Sequence, residues 1–136
     1  MVRTGPTRPV DDHQANQRLR LARAYREAAE AGYALLGEGD PGNPVVSNAI
    51  LSAVAYADAV TGRHLGEVNQ RDHNAAPKLL RKALGAALPS AQERRLSQLL
   101  QLKDTVQYGS RIMTREQARS SIEALGLFAA WAEEMV

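Results

Sequence analysis

One lysine lies inside an otherwise apolar helical face, a setting in which its charge can do chemistry. Between Ser90 and Gly109, apolar residues recur every three or four positions, and Lys103 falls at the centre of the face that they form. Asp104 and Tyr108 follow toward the edge of that face. An ammonium group placed there could hold a phosphate, and a nearby phenol could position a ribose hydroxyl.

Two further side chains are candidates for acid–base work beside Lys103. Asp58 lies on an almost wholly apolar segment, in the row of its inward-facing residues, so its carboxylate should lie partly inside the fold. His73 opens a short helix and could bind a phosphate or move a proton, although Asp72 beside it could simply cap that helix. The alternative is purely structural: Asp58 forms an ion pair between helices with Lys103 or with His73.

Composition restricts the other kinds of chemistry. The 136 residues contain no cysteine, so a disulfide, a thiolate metal site and a cysteine nucleophile are excluded. The three histidines lie in separate contexts, and the sequence has no glycine-rich phosphate loop and no nucleophile elbow. We therefore expect no metal and no cofactor, and any catalysis would be metal-independent acid–base work.

The charged residues allow two interpretations of the surface. Basic residues number 17 against 15 acidic ones, which does not by itself indicate a nucleic-acid-binding protein. Arginines concentrate on the first helix and at Arg94 and Arg95 on the fourth. They form either a solvated face that keeps the protein soluble or a surface that contacts phosphates of RNA. Aromatic residues make up only 4% of the chain, which argues against a site that stacks bases.

The elements that must position these residues are helices, since no segment alternates apolar and polar residues over a useful length. Residues 1–11 are predicted to form a flexible tail, and residues 12–136 a single domain. Apolar spacing and cap residues predict five helices, which run from about Asp12 to Leu36, Asn43 to Thr61, Asn74 to Leu84, Ser90 to Gly109 and Thr114 onward. The predicted fold class is all-α: an up-and-down four-helix bundle with one additional short helix.

Local signals define the ends and faces of these helices. Capping boxes are predicted at Ser90 with Glu93 and at Thr114 with Gln117, and Gly62 is expected to stop the second helix. The second helix is apolar around most of its circumference, which predicts a central position, yet it is too polar for a membrane span. We therefore expect a soluble, cytoplasmic protein. The first helix is expected to face inward with Leu21, Tyr25, Ala28, Ala29, Gly32 and Leu36.

Three stretches carry a resemblance to a known family: NAILSAVAYADAV, RHLGEVNQRDH and LLQLKDTVQYGSRIMTREQA. They resemble the HEPN superfamily, helical bundles named for nucleotide binding in higher eukaryotes and prokaryotes. The motif of the second half reads here as Lys103, four residues, then Tyr108 and Gly109, followed by a capped last helix. The resemblance covers roughly residues 12–136.

The resemblance implies a HEPN-like bundle that forms a homodimer, in which the motif helices of two copies meet in a shared cleft. Many members are metal-independent endoribonucleases of toxin–antitoxin or defence systems, frequently encoded with a nucleotidyltransferase partner. Active members use arginine and histidine where this chain has Lys103 and Tyr108. Lysine lacks the bidentate fork of arginine, and a phenol, with an ordinary pKa of about 10, is a poor base at neutral pH.

Two functions therefore stay open. The first is an RNA-binding or RNA-cleaving protein, in which Arg94 and Arg95 contact phosphates. In this protein four residues converge on an open, positively charged cleft, namely Lys103, Tyr108, Asp58 and His73. The second is a non-catalytic bundle that binds nucleotides or partner proteins, in which Asp58 closes over Lys103.

Overall fold

The computed structural model describes residues 5–109 and 111–136, and helices dominate them. In chain order the elements are β1 (Thr7–Pro9), α1 (Asp12–Leu35), α2 (Asn43–Leu65), β2 (Glu67–Asn69), a 3₁₀ turn (His73–Ala75), α3 (Ala76–Leu84), a second 3₁₀ turn (Gly85–Ala87), α4 (Ser90–Gln101), α5 (Lys103–Tyr108) and α6 (Arg115–Met135). The two strands form one short antiparallel sheet. The prediction of a helical protein is confirmed at this level.

α2 lies at the centre of the fold, and its composition reflects that position. An unbroken run from Ser52 to Gly62 is buried, and α1, α3, α4, α5 and α6 all pack against this helix. By length and composition alone α2 could cross a membrane, but 83% of its most apolar window is buried inside the protein. Its apolar residues therefore face neighbouring helices on nearly every side.

α2 continues past the glycine that was predicted to stop it. Gly62 stays helical and lies against the N-terminal part of the chain: a Cβ there would come within 3.0 Å of the Val10 side chain and 3.1 Å of the Ala15 methyl. Gly66 ends the helix instead, in the left-handed region at φ 70°, which glycine reaches without steric cost. The prediction at Gly62 is wrong because this glycine allows close packing and does not terminate the helix.

α1 packs on α2 through alanines, on a face that differs in part from the predicted one. Ala15, Ala22 and Ala29 are the buried residues of α1, and the Ser52 hydroxyl donates a hydrogen bond to the Ala22 carbonyl at 2.8 Å. Leu21, which was predicted to face inward, is 48% exposed. Ala28 is exposed as well, whereas Ala29 is buried as predicted and Leu36 is partly buried against the core. Small side chains let two helices approach closely, so the face through Ala15, Ala22 and Ala29 packs on α2, and the predicted face is confirmed only in part.

Part of the segment predicted to be a flexible tail is held against the helices. Residues 1–4 lie outside the described residues, but Thr7–Pro9 pairs with Glu67–Asn69 as a strand. Val10 is buried, and its N–H donates to the Gly66 carbonyl at 2.9 Å. Backbone hydrogen bonds hold this segment, and backbone groups are available to any sequence, so composition gave no sign of the pairing.

The predicted fourth helix is divided into α4 and α5 at Leu102. The Leu102 N–H bonds to the carbonyl of Leu99, three residues back, at 3.1 Å, a tightened turn that is common at helix ends. Lys103 is therefore the first residue of α5, not the centre of one long helix. α5 then packs against α2.

One of the two predicted capping boxes is present. The Thr114 hydroxyl accepts from the Gln117 N–H, and the Gln117 side chain accepts from the Thr114 N–H, so the box that opens α6 is confirmed. Ser90 is already the first helical residue of α4 and makes no side-chain cap bond. Glu93 instead pairs with Arg81 of α3, so the prediction of a box at Ser90 is wrong.

Candidate functional site

A cavity between α2, α5 and the His73 turn brings together two of the predicted site residues. Its volume is about 170 Å³. Apolar side chains form most of its wall, His73 and Lys103 supply basic groups, and none of its lining residues is acidic. The lining residues are Ser47, Ile50, Leu51, Val54, His73, Lys103, Val106 and Gln107.

α5 contributes three residues to the lining of the cavity. Lys103, Val106 and Gln107 follow helical spacing and therefore lie on one side of α5, which is the side toward the cavity. Lys103 is half-buried. None of the ion pairs within residues 5–109 and 111–136 includes it, so its ammonium group can bind an anion that enters the cavity.

His73 lies at the first position of the 3₁₀ turn before α3, and its ring is half-buried. Asp72 caps this turn by accepting from the Asn74 N–H at 3.0 Å. The Nδ1 atom of His73 is buried and finds no hydrogen-bond partner in the described part of the chain. A buried nitrogen without a partner is costly and uncommon in folded proteins.

The surroundings of His73 favour its neutral form. Burial lowers the pKa of this imidazole first, and the positive charges of Lys103 and Arg18 lower it further, against an opposing effect of Asp72. A neutral imidazole can accept a proton or a hydrogen bond at neutral pH.

Asp58 pairs with Arg18 of α1, not with Lys103 or His73. The Arg18 Nη1 lies 3.3 Å from the Asp58 Oδ2, and the Asp58 side chain is only 3% exposed. Burial raises the pKa of Asp58 to about 7, although the positive charges of Arg18 and Arg8 act in the opposite direction. Both predicted partners are wrong because α1 packs along α2 and places Arg18 beside this carboxyl group.

The charges of two arginines that sequence analysis did not select act on Asp58, and one of them also acts on His73. Arg8 is exposed on β1, opposite Val68 of β2. Its charge and that of Arg18 both act on Asp58, and the charge of Arg18 also acts on His73. Arg18 is one of several arginines on α1, and only its place beside α2 distinguishes it. Arg8 is positioned by a three-residue strand, which is too short to give a periodic signal.

The remaining predicted site residues lie away from the cavity. Tyr108 is 82% exposed at the end of α5 and is not among the lining residues. Arg94 is exposed and Arg95 half-buried on α4, and neither lines the cavity. Of the predicted catalytic and phosphate-binding residues, the cavity thus brings together Lys103 and His73. No group of three or more histidine, aspartate or glutamate residues in the described ranges could hold a metal ion.

Comparison with known proteins adds no relative. No protein-family model matches the chain, and no curated protein matches it significantly. The resemblance to the HEPN superfamily therefore rests on the motifs of the sequence.

Proposed function

We propose that the protein binds a nucleotide unit, free or within RNA, in the cavity formed by α2, α5 and the His73 turn. The observation that carries this proposal is the meeting of Lys103 and His73, from two separate elements, in one apolar cavity without an acidic residue in its lining. A nucleotide combines a flat, largely apolar base with an anionic phosphate. Apolar walls suit the first part, and an ammonium group beside an imidazole suits the second.

The size of the cavity limits how the nucleotide lies. At about 170 Å³ it is smaller than the pockets of roughly 300 Å³ or more that enclose a whole small-molecule ligand. One part of the nucleotide enters, and the remainder lies outside it. The charge of Arg18 acts on His73 together with that of Lys103, so it adds to the positive surroundings in which outer phosphates would lie.

The HEPN-like fold is part of the same proposal. The four long helices of an up-and-down bundle would be α1, α2, α4 and α6. The additional short helix would be α3. Extensive packing of α1 on α2, of α2 on α6 and of α4 on α6 supports this arrangement. A homodimer and a nucleotidyltransferase partner follow from the resemblance, and a cytoplasmic location follows from the composition of the sequence. All three belong to the same proposal.

RNA cleavage is a second candidate, and the neutral state of His73 favours it. A neutral imidazole can take the proton of a ribose 2′-hydroxyl as that oxygen attacks the adjacent phosphorus. The 5′-oxygen then leaves with a proton from water, and Lys103 neutralises the charge that develops on the phosphate oxygens. In this account His73 takes the role of base, and Tyr108, which is exposed, takes none.

Binding measurements test the proposal. We would titrate the protein with AMP by calorimetry and with a fluorescent single-stranded RNA by anisotropy, both in the presence of EDTA. His73→Gln and Lys103→Gln should each weaken binding by about tenfold or more, which is about 1.4 kcal/mol or more. Lys78→Gln is the matched control, since Lys78 is an exposed lysine of α3 outside the cavity, and it should bind as the wild type does.

Two outcomes would contradict the proposal. The first is a wild-type protein that binds neither AMP nor RNA. The second is equal weakening by all three substitutions, which would indicate general attraction of an anion to a basic surface. Cleavage of the RNA by the wild type and not by folded His73→Gln would support the second candidate, whereas RNA that stays intact at saturation would refute it.

A further inference from the structure

A second cavity has walls in common with the cavity that contains Lys103 and His73, which we call the first cavity. The volume of the second cavity is about 410 Å³. Its lining residues come from α4, the start of α5, the 3₁₀ turn before α3 and the start of α3 itself. Most of these side chains are polar, so we call it the polar cavity; it is lined by Asn74, Pro77, Ser97, Leu100, Gln101 and Asp104.

The two cavities lie end to end between the same two walls. On one wall, Asp104 lines the polar cavity and the preceding residue, Lys103, lines the first cavity. On the other wall, Asn74 lines the polar cavity and the preceding residue, His73, lines the first. Neighbouring Cα atoms are only about 3.8 Å apart, so each wall passes from one cavity to the other within one residue. A ligand that fills the first cavity can therefore extend into the polar cavity.

The linings of the two cavities differ in charge. The first cavity has basic groups and no acidic residue in its lining. In the polar cavity, Asp104 is the only charged lining residue in the part of the chain that the structure describes. Asp104 is exposed, and none of the ion pairs within residues 5–109 and 111–136 includes it. A ligand that fits both cavities has an anionic group at one end and hydrogen-bond donors at the other.

A guanine nucleotide has these two ends. Of the four RNA bases, guanine alone presents two adjacent N–H donors at its Watson–Crick edge, N1–H and the 2-amino group. A carboxylate only accepts hydrogen bonds, and its two oxygens can bind such a pair of donors together. Adenine and cytosine have an acceptor nitrogen beside their amino group, and that nitrogen would face the carboxylate unfavourably. The single carboxylate of the polar cavity therefore favours guanine over the other bases.

We propose that Asp104 selects guanine: the phosphate of a guanine nucleotide lies beside Lys103 and His73, and the Watson–Crick edge of its base enters the polar cavity and donates to the Asp104 carboxylate. This inference rests on the proposed function, and it names the base that the site prefers. The apolar side chains of Pro77 and Leu100 provide contacts for the face of the base. AMP binds through its phosphate but lacks the paired contact to Asp104.

Calorimetry with GMP, IMP and AMP in the presence of EDTA tests this proposal. The wild type should bind GMP about tenfold more tightly than AMP. IMP keeps the N1–H of GMP but lacks its 2-amino group, so it should lose most of this preference. Asp104→Asn should weaken GMP binding to the level of AMP and change AMP binding little. Glu38→Gln is the matched control, since Glu38 is an exposed acidic residue outside both cavities, and it should keep the full preference for GMP.

Failure of this proposal can be distinguished from failure of the proposed function. Equal binding of GMP and AMP by the wild type, with both weakened by Lys103→Gln, would leave the nucleotide site in place and refute selection by Asp104. A preference for GMP that survives Asp104→Asn in a protein with wild-type circular dichroism would also overturn the proposal, as would equal weakening of GMP and AMP. A wild type that binds none of the three nucleotides would contradict both proposals.

Discussion

Asp58 should make the stability of the folded protein fall as pH rises. Burial raises its pKa from the ordinary 3.8 to about 7. Between these two values the folded protein keeps a proton on Asp58 that the unfolded chain releases. The contribution of Asp58 to the free energy of unfolding is therefore greatest below pH 3.8. This contribution declines as pH rises toward 7.

The size of the effect follows from the same pKa values. The difference between 3.8 and about 7 corresponds to about 4 kcal/mol, at 1.36 kcal/mol per pKa unit. Integrated from pH 5 to pH 8, the contribution is about 2.5 kcal/mol, since part of the loss occurs below pH 5. Asp58→Asn removes the titration and keeps an oxygen that can accept from Arg18.

Urea unfolding followed by circular dichroism at pH 5 and pH 8 measures the effect. From pH 5 to pH 8, we expect the free energy of unfolding of Asp58→Asn to increase by about 2.5 kcal/mol relative to that of the wild type. The lowered pKa of His73 makes stability rise with pH, but His73 is present in both proteins, so its contribution cancels in the comparison. A relative stability that stays constant, or that shifts in favour of the wild type at pH 8, would refute the reasoning. The first result would mean that Arg18 holds Asp58 ionised, because a folded-state pKa below 3.8 would leave nothing to titrate between pH 5 and pH 8.

Three further predictions concern local contacts and use the same unfolding measurement. Ser52→Ala removes the hydrogen bond to the Ala22 carbonyl and should cost about 1 kcal/mol; an unchanged midpoint would show that this bond adds nothing to stability. Thr114→Ala removes the cap of α6 and should lower the free energy of unfolding by about 1 kcal/mol. Ser90→Ala, at a residue without a cap bond, should change it by less than about 0.5 kcal/mol. Equal losses in the two variants would contradict the assignment of the caps. Gly42→Ala places a Cβ 2.8 Å from the Thr114 carbonyl oxygen and should lower the free energy of unfolding by about 1–3 kcal/mol. In Gly126→Ala the Cβ would be 3.9 Å from its nearest neighbour, so this variant should be more stable by about 0.5–1 kcal/mol. The opposite order of these two glycine variants would be inconsistent with the packing described.

The helices and the cap of α6 could be predicted from local signals, although the cap predicted at Ser90 is absent. Asp11 caps α1 and Thr114 caps α6, each with a glutamine three positions later that completes a capping box. The apolar circumference of α2 likewise predicted its central place. These features depend on residues close together in sequence, so no tertiary information was needed.

The face of α1 could not be predicted in this way. α1 has two stripes at helical spacing, one through Ala22 and Ala29 and one through Leu21 and Ala28. Periodicity shows that both exist but does not show which packs on α2. The distance at which two helices approach decides that question, and the smaller residues permit the closer approach.

The candidate site was predicted in part for the same reason. Lys103 and His73 were selected by residue type and by position on helical elements, and they line one cavity. Asp58 was selected correctly as a buried acid, but its partner Arg18 is 40 positions away on another helix. Tyr108 was placed near Lys103 by its position on the same helix, but five residues at 100° each put the two side chains about 140° apart on α5, and Tyr108 is exposed.

The central claim is that Lys103 and His73 bind a nucleotide, and the imidazole of His73 reports on it directly. Imidazole NMR signals would be followed while AMP is added to the wild type and to Lys103→Gln. His13 and His64 are exposed and serve as internal references. We predict that the His73 signals shift and saturate in the wild type while the two references stay in place, and that Lys103→Gln needs about tenfold more AMP. No shift at His73, or equal shifts at all three histidines, would contradict the account.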